Sequence, residues 1–175
     1  MRSGAAEPDA PVLVRGVGEI GSAVAHALLR RGVPAAIQED RDPLTSRRRM
    51  AFADAVFDGR ARLDGVEARL VEPDGLAQAL RHGGHVPVLR APLDQAMGLA
   101  GWTVLVDARM VKHAASESSL GLAPLTVALG PGHEAGTTAD WVVETAWGSD
   151  LGRVMTAGAT LPLTGEPRAI AGGGR

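Results

Sequence analysis

The chain has 175 residues, 45% hydrophobic and 22% charged, which is typical of a globular domain, and its core must be aliphatic because only 3% of residues are aromatic. The net charge of −2 lacks the basic excess of a nucleic-acid surface, and the absence of cysteine excludes disulfides, thiolate metal sites and a cysteine nucleophile. No signal-peptide pattern and no apolar stretch of membrane-spanning length is seen, so we expect a cytoplasmic protein without membrane or nucleic-acid partners.

A short β-branched strand at 12–14 leads into a glycine turn and then a helix. Gly16, Gly18 and Gly21 give the spacing G-x-G-x-x-G, the fingerprint of a dinucleotide-binding βαβ unit. In such a unit the first glycine permits the tight turn, the second lets a pyrophosphate approach the backbone, and the third lets helix and strand pack closely. The helix N-terminus offers N–H groups to the phosphates. The pattern predicts a nucleotide site; the alternative is a tight strand-to-helix turn without a ligand.

The second predicted strand, 33–39, ends in an acidic residue. Glu39 follows the glycines at about the 20-residue spacing of the acid that binds ribose hydroxyls in these units. A carboxylate there favours a free 2′-hydroxyl over a 2′-phosphate. The arginines at 47–49 complicate this preference, because arginine binds phosphate or carboxylate well. The alternative for them is the solvated start of a helix predicted over 50–57.

A β-hairpin is predicted over 61–71, because Asp64-Gly65 suits a two-residue type I′ turn between alternating strands. A hairpin interrupts strict β-α alternation, so we expect an insertion or an antiparallel edge. A short helix at 74–81 and a loop at 82–85 follow. The two histidines of that loop lack a third ligand at suitable spacing, so we predict a surface loop and no metal site.

The next elements are a strand at 86–89, a short helix at 93–100 and a strong strand at 102–106. Ligands collect at the carboxyl ends of strands in open α/β sheets, which makes Asp107 a candidate binding residue. Lys112, the only lysine of the chain, is a second candidate because it offers a point charge with three donors. The alternative for Asp107 is a helix or turn cap.

A strand at 125–129 runs into a second glycine loop, in which Gly130 and Gly132 are predicted to line the same crevice as the first. The loop lacks the Gly-Lys-Ser/Thr of a P-loop, so ATP hydrolysis gains no support. Two more strands are predicted within 138–146 and 151–159.

The predicted fold class is therefore α/β: a Rossmann-like, mostly parallel sheet with an inserted β-hairpin and a strand-rich C-terminal part. We predict a single domain over 1–175, with 160–175 as a Pro/Gly-rich linker or truncated end.

Several stretches together resemble the accessory proteins of molybdenum hydroxylases, namely the selenium-dependent molybdenum hydroxylase system family and the related XdhC-like xanthine dehydrogenase accessory proteins. The resemblance lies in RGVGEIGSAVAH at 15–26, FADAVFDG at 52–59, LVDARMVK at 105–112, GLAPL at 121–125 and LGPG at 129–132, with Pro43, 47–48, 143–145, 151–154 and 158–167. Two features depart from the family pattern. His133 stands where a bulky apolar residue is usual, and the family continues past its Gly-Gly motif into a strand-rich segment, whereas this chain stops at Arg175.

The resemblance implies a Rossmann-like fold and a role in maturing a molybdenum-cofactor hydroxylase of the xanthine or carbon monoxide dehydrogenase type. The implied ligand is a dinucleotide, either NAD-like or a molybdopterin dinucleotide, and the implied partner is the hydroxylase apoenzyme; self-association into a homo-oligomer stays open. One alternative is an NAD(P)-dependent oxidoreductase, although the chain has no tyrosine and no obvious proton donor. Another is a non-catalytic interaction module with a vestigial nucleotide site.

Overall fold

The described part of the chain forms one large sheet, one small sheet and a few short helices. The computed structural model describes residues 10–43, 49–110 and 117–163. The strands are β1 (Val12–Arg15), β2 (Ala35–Glu39), β3 (Arg60–Leu63), β4 (Val66–Val71), β5 (Val86–Arg90), β6 (Val104–Asp107), β7 (Leu125–Leu129), β8 (Glu134–Ala135), β9 (Trp141–Val143), β10 (Val154–Met155) and β11 (Gly158–Ala159). The helices are α1 (Glu19–Arg30), α2 (Asp54–Asp58), α3 (Leu76–His82), α4 (Leu93–Met97) and a 3₁₀ turn at Pro73–Gly75.

Nine strands form the main sheet in the order β10-β9-β7-β6-β1-β2-β5-β4-β3. The seven strands from β9 to β4 run parallel, while β10 and β3 are antiparallel to their neighbours at the two ends. Strands β8 and β11 pair separately in a two-stranded antiparallel sheet. The predicted fold class is confirmed: an α/β fold around a mostly parallel sheet, with a strand-rich C-terminal part.

The predicted hairpin is confirmed as an antiparallel edge of the sheet. Leu63 pairs with Val66 across a two-residue turn, and both turn residues have positive φ, 40° at Asp64 and 79° at Gly65. A type I′ turn requires positive φ at both central positions, which is why the Asp-Gly pair indicated it.

Apolar side chains cover both faces of the central strands, as expected for a parallel sheet with helices on either side. On one face Val12 and Val14 of β1 pack in a cluster with Ala25 of α1 and with Phe52 and Val56 at α2. On the other face Leu13 belongs to a cluster built by α3, α4 and the indole of a buried tryptophan; its members include Leu76, Leu80, Ala96, Trp102 and Leu105. The alternation along β1 thus divides the core into two layers.

Three predicted elements are much shorter than the sequence suggested. The helix predicted over 50–57 begins only at Asp54, because the buried Phe52 N–H is bound by a serine hydroxyl and the chain enters through turns. The helix predicted over 93–100 ends at Met97, where Gly98 caps it. The strand predicted within 138–146 is limited to Trp141–Val143.

The segment 151–159, predicted as one strand, is split between the two sheets. Val154–Met155 pairs with β9 in the main sheet, whereas Gly158–Ala159 pairs with β8 in the small one. The residues that follow pack onto the protein: Thr160 is buried, and the Leu161 N–H donates to Glu144 Oε2 at 2.7 Å. The remainder of the predicted linker, from residue 164, lies outside the described residues.

Among the described residues, no helix combines the length and the apolar character needed to cross a bilayer.

The packing of α1 on β1 leads to a first prediction. A Cβ built on Gly21 would lie 1.9 Å from the carbonyl oxygen of Gly16, so Gly21→Ala should lower the free energy of unfolding by about 3 kcal/mol or more, since backbone cannot yield to an overpacked atom. Urea unfolding measures this. Gly75→Ala is the matched control: Gly75 has φ −84° with nothing within 4 Å of its Cβ position, so its change should stay within about 0.5 kcal/mol. Equal stabilities of the two variants would contradict the close approach.

Candidate functional site

The candidate site lies at the point in the sheet where the strand order reverses. From β1 the chain proceeds to β2 on one side, and later returns past β1 to place β6 on the other side. In open α/β sheets, ligands bind in the crevice at the carboxyl ends of the strands at such a switch point. Arg15 and Asp107 end these two strands and stand opposite each other in the parallel register. The site is therefore built from the ends of β1 and β6 and the loops that follow them.

The three glycines of the first turn differ in how strongly their surroundings require glycine. Gly16 has φ +98°, and a Cβ there would lie 3.0 Å from the Cα of Arg109, so both conformation and space favour glycine. Gly18 caps α1 with ordinary φ −64° and has nothing within 4 Å of its Cβ position. Gly21 lets α1 approach the Gly16 carbonyl. The turn thus leaves open space at Gly18, beside the first turn of a twelve-residue helix.

A buried serine holds the glycine turn in place. The Ser22 hydroxyl donates to the Val17 carbonyl at 2.9 Å and accepts the Phe52 N–H at 2.8 Å. The turn is thereby tied both to α1 and to the entry of α2. Ser22 was not predicted to have this role, although its hydroxyl directly follows the third glycine of the fingerprint.

Glu39 ends β2 beside the glycine turn. Its Oε2 accepts the Val17 N–H at 3.2 Å, and its Oε1 accepts the Asp40 N–H at 3.2 Å. Burial raises the pKa of this carboxyl above its usual value, and the backbone hydrogen bonds only partly offset that effect. Glu39 is consequently an acceptor already oriented at the edge of the turn, where the sequence analysis predicted a ribose-binding acid.

Asp107 is buried between two guanidinium groups. Its Oδ2 lies 3.3 Å from Arg15 Nη1 and 2.7 Å from Arg109 Nη2, and its Oδ1 accepts the Arg109 backbone N–H at 3.2 Å. Burial alone would raise the pKa of Asp107, but the hydrogen bonds from Arg109 and the charges of both arginines outweigh it and keep the pKa below its usual value. The backbone contact is the turn cap that the sequence analysis gave as the alternative for Asp107.

Glu117 completes the charged cluster from the solvent side. Its Oε2 lies 3.2 Å from Arg15 Nη2 and 3.0 Å from Arg109 Nη1. The hydrogen bonds from Arg109 and Arg15 hold the pKa of Glu117 below its usual value. The four side chains thus form a charged cluster in which two arginines alternate with two carboxylates. Of the four, only Asp107 was predicted as a site residue from the sequence.

The sequence feature that could have predicted this cluster is the position of its charged residues at the ends of strands. An arginine ends one buried apolar strand and an aspartate ends another, and parallel neighbours with equal lengths bring such ends together. An ion pair at the mouth of the sheet follows if the two strands are adjacent. Adjacency of β1 and β6 is a property of the topology, however, and not of either strand.

The second glycine loop follows β7 at the same edge of the sheet. Gly130 has φ +107°, and a Cβ there would lie 2.8 Å from Met110 Sδ. Gly132 has φ +81°. The loop after β6 therefore contacts both glycine loops, with Arg109 against Gly16 and Met110 against Gly130. Strand β6 lies between β1 and β7, so the two glycine loops flank the β6 loop instead of facing each other directly.

His133 is buried in the second glycine loop. Its Nδ1 lies 3.3 Å from the Thr138 hydroxyl, and its backbone N–H donates to Thr160 Oγ1 at 3.1 Å. Burial lowers the pKa of His133, and Asp107 and Arg109 are close enough to act on it with opposite signs. The lowered pKa favours the neutral imidazole at neutral pH.

Some predicted residues fall outside the described part of the chain. Lys112 lies in 111–116, and Arg47 and Arg48 lie in 44–48, so their positions relative to the site are not described. Arg49 is described, and its backbone N–H donates to Asp54 Oδ2 at 3.2 Å.

Two open grooves lie away from these residues, beside the loop between α3 and β5. One, of about 530 Å³, includes Val33 and Pro34 ahead of β2, and the other, of about 590 Å³, includes His82 and His85 ahead of β5. Gly83 and Gly84 line both. Within the described ranges, no group of three or more acidic or histidine side chains is arranged to hold a metal ion.

Comparison with known proteins gives a relative without a described function. The chain is 37% identical over 161 residues to the uncharacterized protein YqeB of Escherichia coli (strain K12). The match covers 92% of this chain and 30% of YqeB, so the chain spans less than a third of that relative's length. No family model matches the chain.

The buried cluster yields a second prediction. Asp107→Asn should lower the free energy of unfolding at neutral pH by about 3 kcal/mol, because removing one partner of a buried ion pair leaves uncompensated charge, at a typical cost of ~3–5 kcal/mol. The folded pKa of Asp107 is depressed, so its stabilisation is present above the unfolded pKa and is lost as pH falls through the folded value. The gap between wild type and variant should therefore close on acidification, in urea unfolding at several pH values.

The control for this prediction is Asp64→Asn, at the exposed hairpin turn, where asparagine suits a type I′ turn equally well. Its change should stay within about 0.5 kcal/mol. An Asp107→Asn variant as stable as this control would show that the carboxylate charge does not hold the cluster together.

Proposed function

We propose that this chain binds a nucleotide over the glycine turn between β1 and α1, with an NAD-like or molybdopterin dinucleotide as the ligand class. The observation that carries the proposal is the open space at Gly18, which adjoins the N-terminus of α1 and lies beside the Glu39 carboxylate. A fold could make a tight turn without leaving this space. The residues present fit the ligand class, because anionic groups are favoured at helix N-termini and a ribose needs an acceptor for its hydroxyls.

In this proposal the protein's own groups bind and orient the ligand. Backbone at Gly18 and the first turn of α1 receives the pyrophosphate, and Glu39 accepts a hydrogen bond from a ribose hydroxyl. The Val17 N–H keeps the Glu39 carboxylate turned toward the glycine turn. The ligand's remaining half extends along the switch point toward Arg15 and Asp107, and the bound group itself supplies any redox or molybdenum chemistry.

We further propose that the chain serves the maturation of a molybdenum-cofactor hydroxylase. This role depends on the resemblance in the glycine turn, the segment at 105–112 and the second glycine loop, and its partner is the hydroxylase apoenzyme. The nucleotide site would bind the dinucleotide part of the cofactor or a nucleotide used in preparing it.

The second candidate is an NAD(P)-dependent oxidoreductase, which one observation favours. His133 is a buried imidazole whose pKa is lowered by burial, and the charge of Asp107, at the carboxyl end of β6, acts on it. A neutral histidine can accept or donate a proton near neutral pH. Formation of reduced nicotinamide cofactor during incubation of the protein with oxidised NAD or NADP and candidate alcohols would favour an oxidoreductase over an accessory protein.

The third prediction tests the nucleotide site. Gly18→Val should abolish binding of the nucleotide that wild type binds best, because the branched side chain occupies the space over the turn, while the extended backbone at Gly18 accepts valine without strain. Calorimetric titration with NAD, NADP, ATP, CTP, GTP and molybdopterin dinucleotides measures affinity, and a thermal melt checks the fold. The same variant should fail to support maturation of a co-expressed molybdenum hydroxylase, whereas Gly75→Ala should behave as wild type. Unchanged affinity in Gly18→Val would remove the turn from the site, and full maturation without nucleotide binding would separate the two parts of the proposal.

The fourth prediction concerns the choice of ribose. Wild type should bind NAD at least about tenfold more tightly than NADP, a difference of about 1.4 kcal/mol, because the Glu39 carboxylate repels a 2′-phosphate at close range. Glu39→Gln should remove most of this difference. The pKa of Glu39 is raised by burial, so ionised Glu39 disfavours the folded state at neutral pH, and the glutamine variant should remain folded. A wild-type preference for NADP would show that nearby arginines such as Arg41 dominate.

A further inference from the structure

We propose that Arg15 and Arg109 form a carboxylate-binding fork beside the glycine turn, in which Glu117 occupies the place of a ligand carboxylate. This inference deepens the proposed function by naming the chemistry of a second ligand, and it rests on that function only for the idea that a nucleotide binds next to the fork. The fork itself stands on contacts among described residues.

The geometry of the fork converges on a single oxygen. Arg15 Nη2 and Arg109 Nη1 lie 3.2 Å and 3.0 Å from the same Glu117 Oε2. Guanidinium groups are planar, strongly directional donors that suit carboxylates. Two guanidinium groups, one from the end of β1 and one from the loop after β6, meet at one carboxylate oxygen, which is the arrangement of a carboxylate-binding site.

Burial divides the cluster into a fixed and a replaceable part. The side chains of Arg15, Asp107 and Arg109 are 5%, 3% and 20% exposed, whereas that of Glu117 is 66% exposed. Asp107 holds both guanidinium groups in place from the buried side of the cluster. Glu117 contacts them from the solvent side, where water competes for its carboxylate. A ligand can therefore displace the Glu117 carboxylate without dismantling the fork.

The charge of the fork selects a monoanion. Two arginines against one buried aspartate leave a net charge of +1, which Glu117 neutralises. A ligand carboxylate restores that balance, whereas a dianionic phosphate overshoots it next to Asp107. Burial keeps the nearby His133 neutral, so it adds no cation. Within the described residues, Arg15 Nε is also buried without a hydrogen-bond partner. This N–H is therefore a further donor that a bound carboxylate could use.

The fork adjoins the nucleotide turn through Arg109. A Cβ at Gly16 would lie 3.0 Å from the Arg109 Cα and 3.2 Å from its Cγ, so the stem of this arginine packs directly on the turn. Arg15 immediately precedes Gly16 in the chain. A carboxylate in the fork would thus lie next to the glycine turn and beside the proposed nucleotide.

The fifth prediction tests the fork by removing its internal occupant. Glu117→Ala should bind acetate and propionate at least about tenfold more tightly than wild type, because the ligand no longer competes with a tethered carboxylate. Calorimetry, and a rise of the melting temperature with acetate at constant ionic strength, measure this. Glu67→Ala is the matched control, since Glu67 also pairs with an arginine, Arg69, but lies on the distant hairpin. If Glu117→Ala does not fold, Glu117→Gln carries the same test.

Four further outcomes are decisive. Arg109→Lys in the Glu117→Ala background should lose the gain, because lysine lacks the planar fork. A lowered melting temperature of Glu117→Ala with no gain in acetate affinity would overturn the proposal and show a structural ion bridge. An equal gain for inorganic phosphate would overturn the choice of a carboxylate. The gain in acetate affinity should persist in the Glu117→Ala, Gly18→Val double variant. This variant distinguishes a failure of the proposed nucleotide site from a failure of the fork, because it removes only the nucleotide site.

Discussion

The contact between the Gly16 carbonyl and the backbone at Gly21 sets the position of α1, and the carboxyl edge of the sheet depends on it. A Cβ at residue 21 would overlap that carbonyl at 1.9 Å, so the helix takes its course only because residue 21 has no side chain. With α1 held there, Ser22 reaches both the Val17 carbonyl and the Phe52 amide. One backbone approach thereby organises the glycine turn, the entry to α2 and the core layer between them.

The fold follows from the sequence wherever a backbone requirement is visible in residue type. The glycine spacing at 16–21 and the Asp64-Gly65 turn both demand specific backbone geometry, and both elements are found as predicted. Apolar runs also located the central strands. Element lengths were less predictable, because they depend on tertiary hydrogen bonds: Phe52 gives its N–H to Ser22, and the segment after residue 151 divides its pairing between two sheets.

The candidate site was only partly predictable, for a related reason. Gly16, Gly18 and Glu39 belong to one local βαβ unit, where spacing along the chain determines spacing in the fold. Arg15 and Glu117 are separated by 102 residues, and they meet only because β6 lies beside β1. Local pattern carries no information on that adjacency. An arginine that ends a buried strand was nevertheless a sign of a buried anionic partner, since an uncompensated charge at such a position is very costly.

The two ends of the main sheet meet the problem of strand addition by different means. An exposed strand edge is a template for pairing with another chain, and charge or brevity discourages this. At one end, β3 presents the exposed Arg60 and Arg62 along its length, so a second copy of the same edge would meet like charges. At the other end, β10 is only two residues long and carries the exposed Val154. Like charges therefore oppose the addition of another strand at β3, whereas β10 is too short to pair with one. A mutation that extended β10 would remove this second protection and allow the sheet to grow into a filament.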